Sequence, residues 1–505
     1  MITLSATIRY HAHAHPERLA IIYGEQRVTY ADLYDRLTRV AGLLRAQGIG
    51  RGDVVLVLMK NSTAFIEIAL AVSHLGAVFL PVNFRLSPEE VAYIADNAGA
   101  KIAFVDTELA ANAPRLDRVV VVDAAAQADM RRACGGAAPV IEAAHCRPDE
   151  MFRLMYTSGT TDRPKGVMHN YENFYWKCLD HVIVLGLTRD EKLLVVGPLY
   201  HVGAFDLPGV ALLLVGGTMC VLRDFDAGAA LAAIETERLS CGWMAPVMLN
   251  AILAHPDGAK RDLTSFKWCI GGGEKTPESR IRGFTTVFTH GRYIDAYGLT
   301  ESCSGDTMME AGREIDKIGS TGRVLPLTDI AVMDDGGRPL PAMSEGEICL
   351  RGPRITRGYW KDEAKTAASY HGDWFRTGDV GYLDPEGFLY LTDRKKDMII
   401  SGGENIASSE VERVIYALPQ VSEAAVVGVP DERWGERPVA VVVLKPGTRL
   451  TADELVEHCG KHLARFKVPR TLVLRDALPR NPSGKVLKRV IRQELAGTPA
   501  EETQA

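Results

Sequence analysis

The feature that most constrains the fold is a repeated change of period along the first 300 or so residues. Short apolar runs, Val54–Leu58, Ala77–Val82, Ile102–Val105 and Val119–Val122, have the length and β-branched content of buried strands. Between them lie segments of helical spacing. Thr29 with Asp32 marks a helix start, Leu33, Leu37, Val40 and Leu44 repeat along it, and Gly48 and Gly50 end it. Further helices are expected over Ala64–Leu75 and from Pro88. Strand and helix alternating through short links predict an α/β fold built on covered, largely parallel sheets. With 505 residues, 47% of them hydrophobic, the chain can build a large core and more than one domain.

Three of the expected strands run into polar or glycine-rich turns. Leu193–Val196 leads to Gly197-Pro198-Leu199-Tyr200-His201, Lys267–Ile270 to Gly271-Gly272-Gly273-Glu274, and Tyr293–Ala296 to Tyr297-Gly298-Leu299-Thr300-Glu301. Open α/β sheets bind ligands at the carboxyl ends of their strands. The stretch Tyr156–Gly166 adds Thr157, Ser158, Gly159, Thr160, Thr161, Arg163 and Lys165. Glycine allows close backbone approach, hydroxyls donate, and cations offset anionic charge, so such a loop can surround phosphate oxygens. It does not fit the GxxxxGK[ST] pattern. On turn chemistry alone an ordinary polar surface loop fits as well.

Beyond residue 330 the texture changes. Asp335-Gly336-Gly337, Glu345-Gly346 and Asp384-Pro385-Glu386-Gly387 punctuate short runs, as in a small antiparallel β unit. Asp393-Arg394-Lys395-Lys396-Asp397 reads either as a solvated turn or as a hinge. The remainder suffices for a small α+β domain with a basic tail: Arg465, Lys467, Arg470, Arg475, Arg480, Lys485, Lys488, Arg489 and Arg492. The net charge of -6 gives no pull toward nucleic acid. Nine cysteines without a CxxC pair suit reduced thiols in a cytoplasmic protein, and no signal peptide is evident. Apolar stretches such as Val210–Val221 read as core rather than membrane spans, which leaves only peripheral membrane contact open. His11, His13 and His15 read as a polar lead-in to the first helix rather than a metal site, because residues two apart do not share a helix face. Ala124–Ala138 reads as a variable surface segment.

Taken together, these motifs resemble the adenylate-forming superfamily of acyl-CoA synthetases, luciferases and adenylation domains. Tyr156–Gly166 resembles its phosphate loop, Tyr297–Glu301 its YGxTE motif, and Arg376-Thr377-Gly378-Asp379 its TGD motif. Asp393–Asp397 resembles its hinge, and Asn481-Pro482-Ser483-Gly484-Lys485 its C-terminal lysine motif. The resemblance spans nearly the whole chain. It implies an N-terminal domain over 1–393, a hinge over 394–397 centred on Lys396, and a mobile C-terminal domain over 398–505.

The same resemblance implies substrates and roles. ATP, Mg2+ and CoA would serve an acid–thiol ligase acting on a small carboxylic acid, in a monomer or homodimer. Thr157, Ser158, Gly159, Thr160, Thr161 and Lys165 would line the triphosphate. Gly272, Gly273 and Glu274, with Asp295, Ala296, Tyr297 and Gly298, would hold adenine, and Asp379 with Arg394 the ribose. Glu301 would hold Mg2+, Thr300 would donate to phosphate, and Lys485 would bridge the carboxylate and the α-phosphate. Ser401, Gly402, Gly403, Glu404, Trp434, Phe466 and Arg470 would meet CoA, and the basic tail would suit its phosphates. One departure is Asp162, where the family loop carries glycine; its charge is expected to face solvent.

For the acid, His201 would border the carboxylate. Val202 stands where amino-acid-activating domains place an Asp, which argues against an amino acid. Gly203, Ala245, Gly298, Cys303 and Gly305 are small and, with Met248, are expected to leave room for a longer chain or a ring. Asp206 is an unassigned charge, expected away from the pocket. The expectation is a medium- or long-chain fatty acid. An aryl acid of coumarate, ferulate or benzoate type is the alternative, and a non-catalytic acyl- or nucleotide-binding protein the non-enzyme one.

Overall fold

The computed structural model describes residues 2–123, 130–157, 164–272, 278–394, 397–401, 404–431, 434–480 and 486–496. The chain divides into two compact units, one of residues 1–330 with 350–375, the other of residues 331–349 with 376–505.

The first unit holds two sheets. One is six-stranded, in the order Val119–Val122, Ala100–Asp106, Val54–Leu58, Val78–Pro81, Met151–Thr157, Lys165–Asn170. All its pairs are parallel except the last. The other is nine-stranded, and its centre runs parallel from Arg292–Tyr297 through Trp268–Gly272, Cys241–Met244, Lys192–Val195 and Thr218–Val221 to Leu19–Tyr23. Antiparallel strands close both ends. Central strands buried on both faces read as continuous apolar runs because helices cover them. Val54–Leu58 is buried throughout, and so is the helix Thr63–His74.

Local signals set the helix ends. Thr29 accepts from the Asp32 N–H and Asp32 answers to the Thr29 N–H, so the helix Tyr30–Ala46 starts on a reciprocal cap. Ser87 and Glu90 do the same for Pro88–Ala98. The first helix, Ser5–Ala14, contains His11 and His13 rather than following them. His11 is buried and bonds the Leu214 carbonyl, while His13 bonds Arg9 four residues back. Among the described residues no cluster of metal-binding side chains occurs. The expected surface segment over Ala124–Ala138 is partly core: Met130 and Cys134 are buried around the short helix Arg131–Cys134. Residues 124–129 lie outside the description. Among the described residues no helix is long and apolar enough to cross a membrane.

The second unit carries a sheet in the order Glu404–Ile406, Ile399–Ser401, Gly435–Leu444, Val421–Asp431, with Thr471–Leu474 parallel to Gly435–Leu444. The helices Ser408–Tyr416 and Ala452–His462 pack on one face through Val411, Ile415 and Leu455. Ile491 of Lys488–Ala496 packs on the other against Val427 and Val441. The fold is thus α/β, with a large N-terminal domain of largely parallel sheets and a small C-terminal α+β domain.

Candidate active site

The strands Met151–Thr157 and Lys165–Asn170 are the antiparallel arms of a hairpin at the edge of the six-stranded sheet, with Thr157 opposite Lys165. Ser158, Gly159, Thr160, Thr161 and Asp162 lie outside the described residues.

Behind this hairpin is a buried charge network. Arg153, in the strand leading to the loop, holds Asp206 through two parallel bonds, Nη1 to Oδ1 at 3.0 Å and Nη2 to Oδ2 at 2.8 Å. Its Nε donates to His169 Nδ1 at 3.0 Å, and His169 Nε2 lies 2.7 Å from the Thr300 carbonyl. Lys177 Nζ donates to the Asp206 carbonyl at 2.8 Å and lies 3.5 Å from its Oδ1. Arg153, His169, Lys177 and Asp206 are each fully buried. The Arg153 guanidinium is also ringed by Phe152, Phe174 and Phe205, 5.3–5.6 Å from the ring centres. Burial and Arg153 push the His169 pKa down to about 3, while Arg153 and Lys177 overcome burial to keep Asp206 below the usual carboxylate range. Asp206 therefore lies in the core between elements far apart in sequence. The available sequence signal is Arg153 itself, a charge inside the apolar run Phe152–Met155.

Thr300–Ser302 is a short turn following the strand Arg292–Tyr297. A Cβ at Gly298 would fall 2.2 Å from the Gly305 nitrogen, so the returning chain requires glycine there. The Asp306 N–H closes the loop onto the Tyr297 carbonyl at 2.7 Å. Glu301 is held at two points: its carbonyl accepts from the Thr356 N–H at 2.7 Å, and its Oε1 from the Tyr359 hydroxyl at 2.9 Å. Burial, reinforced by the charge of Glu301, pushes the Tyr359 pKa up, so the hydroxyl remains a donor. A partly exposed, oriented carboxylate fits the oxygen chemistry that Mg2+ requires. Behind the turn, Arg354 donates to the Ser302 and Ser304 carbonyls and to Asp180. On the neighbouring strand, Gly272 pairs with Ala296, and a Cβ there would lie 2.6 Å from the Ala296 carbonyl oxygen. Asp295 and Tyr297 are buried on the same strand. Gly273 and Glu274 lie outside the described residues.

His201 caps the helix Val202–Asp206, its Nδ1 accepting from the Gly203 N–H at 3.0 Å. Asn61, absent from the sequence-derived candidates, fixes the turn before it. Its Oδ1 accepts from the Leu199 N–H at 2.8 Å, and its Nδ2 donates to the Gly197 carbonyl at 2.8 Å. Trp243 packs closely against two glycines here. A Cβ at Gly203 would fall 2.3 Å from the Trp243 ring, and one at Gly197 2.4 Å from it. The indole also stacks under His201 with ring centres 6.0 Å apart. Gly305 abuts the His181 ring and Leu207, and Cys303 is fully buried. Val202 is buried, whereas Ala245 and Met248, at the start of the helix Pro246–Leu253, are partly exposed.

In the second unit, Asp379 is buried and stands opposite Arg394 in the pairing of Trp374–Leu383 with Leu389–Arg394. Ser401 and Glu404 pair as the ends of a hairpin. Trp434, Phe466 and Arg470 are exposed. Much of the basic tail is neutralised: Lys467 pairs with Glu410, Arg475 with Glu494, Arg480 with Glu423, Lys488 with Glu412 and Arg492 with Asp397. These five cations are thus paired within the unit. Lys396, Gly402, Gly403 and Lys485 lie outside the described residues.

Known proteins are similar to this chain in sequence and fold. Residues 8–360 match the AMP-binding enzyme family, and residues 410–485 match the AMP-binding enzyme C-terminal domain. A feruloyl-CoA synthase of Amycolatopsis is 38% identical, covering 96% of this chain and 97% of its own length. A long-chain-fatty-acid–CoA ligase of Mycobacterium tuberculosis is 36% identical, covering 94% of each. The solved structure of ATP-bound MatB from Rhodopseudomonas palustris superimposes with a TM-score of 0.91 at 29% identity, covering 98% of this chain and 99% of the other. The chain belongs to the AMP-binding, adenylate-forming enzymes. Within that class it is an AMP-forming acid–CoA ligase. Its co-substrates are ATP and CoA; ATP and magnesium are bound together in a solved relative, an O-succinylbenzoate CoA synthetase of Bacillus subtilis.

Proposed function

We propose that this ligase activates a carboxylic acid bearing a flat ring, of the arylpropenoate or arylacetate kind, in preference to a long alkyl chain. The observation that carries the reading is Trp243, whose indole fills the space beside Gly197 and Gly203 and lies under His201. An aromatic wall in place of an open channel favours a ring, by about 0.5–1.5 kcal/mol beyond area burial when two rings pack. The feruloyl-CoA synthase and an indoleacetate–CoA ligase of Aromatoleum aromaticum, 34% identical, are relatives that act on ring acids. The fatty-acid ligase of Mycobacterium tuberculosis keeps the aliphatic alternative in the test.

In this reading the acid's carboxylate attacks the α-phosphorus of ATP and pyrophosphate leaves; the CoA thiolate then attacks the acyl carbonyl and AMP leaves. Thr157, Lys165 and the hydroxyls of 158–161 hold the phosphates, and Glu301 holds the Mg2+ that offsets their charge. Asp379 and Arg394 take the ribose, and Lys485 draws the two reacting anions together. The chain turns at Lys396 between half-reactions, and Ser401, Trp434, Phe466 and Arg470 meet CoA.

The test is a panel of ring acids and C8–C16 fatty acids with ATP, Mg2+ and CoA, scored by pyrophosphate release and thioester mass. Ring acids are expected to lead in kcat/KM; a lead for the long chains overturns the assignment. Trp243→Ala is expected to move the ratio toward the longer acids by at least about 10-fold, the low end of what one methylene of pocket contributes. Absence of pyrophosphate release with every acid would favour the non-catalytic reading.

A further inference from the structure

The network beneath the hairpin joins the strands on either side of the phosphate loop, the helix begun by His201, and the Thr300–Glu301 turn. Its bond directions are fixed by chemistry. A guanidinium only donates, so His169 Nδ1 accepts from Arg153 and the imidazole proton resides on Nε2, which donates to the Thr300 carbonyl. An imidazolium could not accept from Arg153, and its burial beside a cation keeps the ring neutral. Asp206 fixes the guanidinium at both nitrogens, so the imidazole has one orientation. Replacing a buried ion pair by apolar groups is often neutral for stability, so stability alone does not account for the arrangement.

We propose that His169, oriented by Arg153 and Asp206, is a positioning residue for adenylation, setting the Thr300–Glu301 turn in register with the phosphate-loop strands and the acid-binding turn at His201. The inference rests on the ligase reading above. A displaced Thr300 carbonyl moves the Glu301 carboxylate, and misplacement by about 1 Å can cost about 100-fold in rate.

Asn and Gln at position 169 separate this role from filling a buried space. Asn keeps an acceptor for Arg153 but is too short to reach Thr300, whereas Gln extends an amide N–H to it. With the full-length chain, MgATP and the best acid of the panel, His169→Asn is expected to lower kcat for pyrophosphate release by about 10–100-fold. Thioester formation from supplied acyl-AMP should stay within about twofold of wild type, and His169→Gln should recover adenylation to within about threefold. If His169→Asn does not fold, as judged by thermal melting, His169→Leu, which also removes the acceptor for Arg153, is read by the ratio of the two half-reactions: selective loss of adenylation supports the inference and equal loss of both overturns it. Equal adenylation in the Asn, Gln and wild-type chains, or equal loss of both half-reactions, overturns the inference while leaving the ligase reading intact. A wild-type chain that releases no pyrophosphate with any acid overturns both.

Discussion

Lys485→Ala is expected to lower acyl-adenylate formation by about 100–1,000-fold, the usual cost of removing one preorganised donor from a developing anionic centre. Thioester formation from supplied acyl-AMP should change by no more than about twofold. The asymmetry follows from charge. In the first half-reaction a carboxylate approaches a triphosphate, and a flexible ammonium can neutralise both reacting oxygens. In the second, the nucleophile is a thiolate and the leaving group is AMP, so a cation between carboxylate and phosphate is no longer required. The measurements are pyrophosphate release with acid and ATP, and thioester mass with acyl-AMP and CoA. Equal loss in both assays would remove Lys485 from the role proposed for it.

The second large effect concerns stability. Asp206→Leu leaves the fully buried cations Arg153 and Lys177 without their carboxylate, and the cost is expected to be about 3–5 kcal/mol. Denaturant unfolding of the full chain at fixed pH measures it. The double variant Arg153→Met, Asp206→Leu removes the bidentate pair together and should regain more than half of that loss, because the Lys177 ammonium keeps the Phe174 face 4.5 Å away. It should not regain adenylation, since His169 then has no donor to orient it. A double variant as unstable as the single one would show that the lost charge balance is not the cause.

Much of the scaffold was legible because its signals are local. Val54–Leu58 is a strand over the residues expected, Pro88 opens its helix, and Thr29 with Asp32 caps another. The charge network was not legible, since its hydrogen-bonded members lie 16 to 131 residues apart and meet only when the elements of the first unit pack. Asp206 alone looks like a surface charge; a buried Asp becomes sensible only when Arg153 and Lys177 face it. The packing of Trp243 was not legible for a related reason: nothing local ties it to Gly197 and Gly203, and only the tertiary structure brings the indole against both.

That three-way contact has a consequence for redesign. Positions 197, 203 and 243 behave as one genetic unit rather than three dials. Any side chain introduced singly at 203 collides with the indole, so a one-site library there would return mostly losses and hide every useful variant. Paired with a smaller residue at 243, the same substitution becomes tolerable, and its sign can reverse. A wider residue at 203 is therefore reached along a path on which it follows a narrower one at 243.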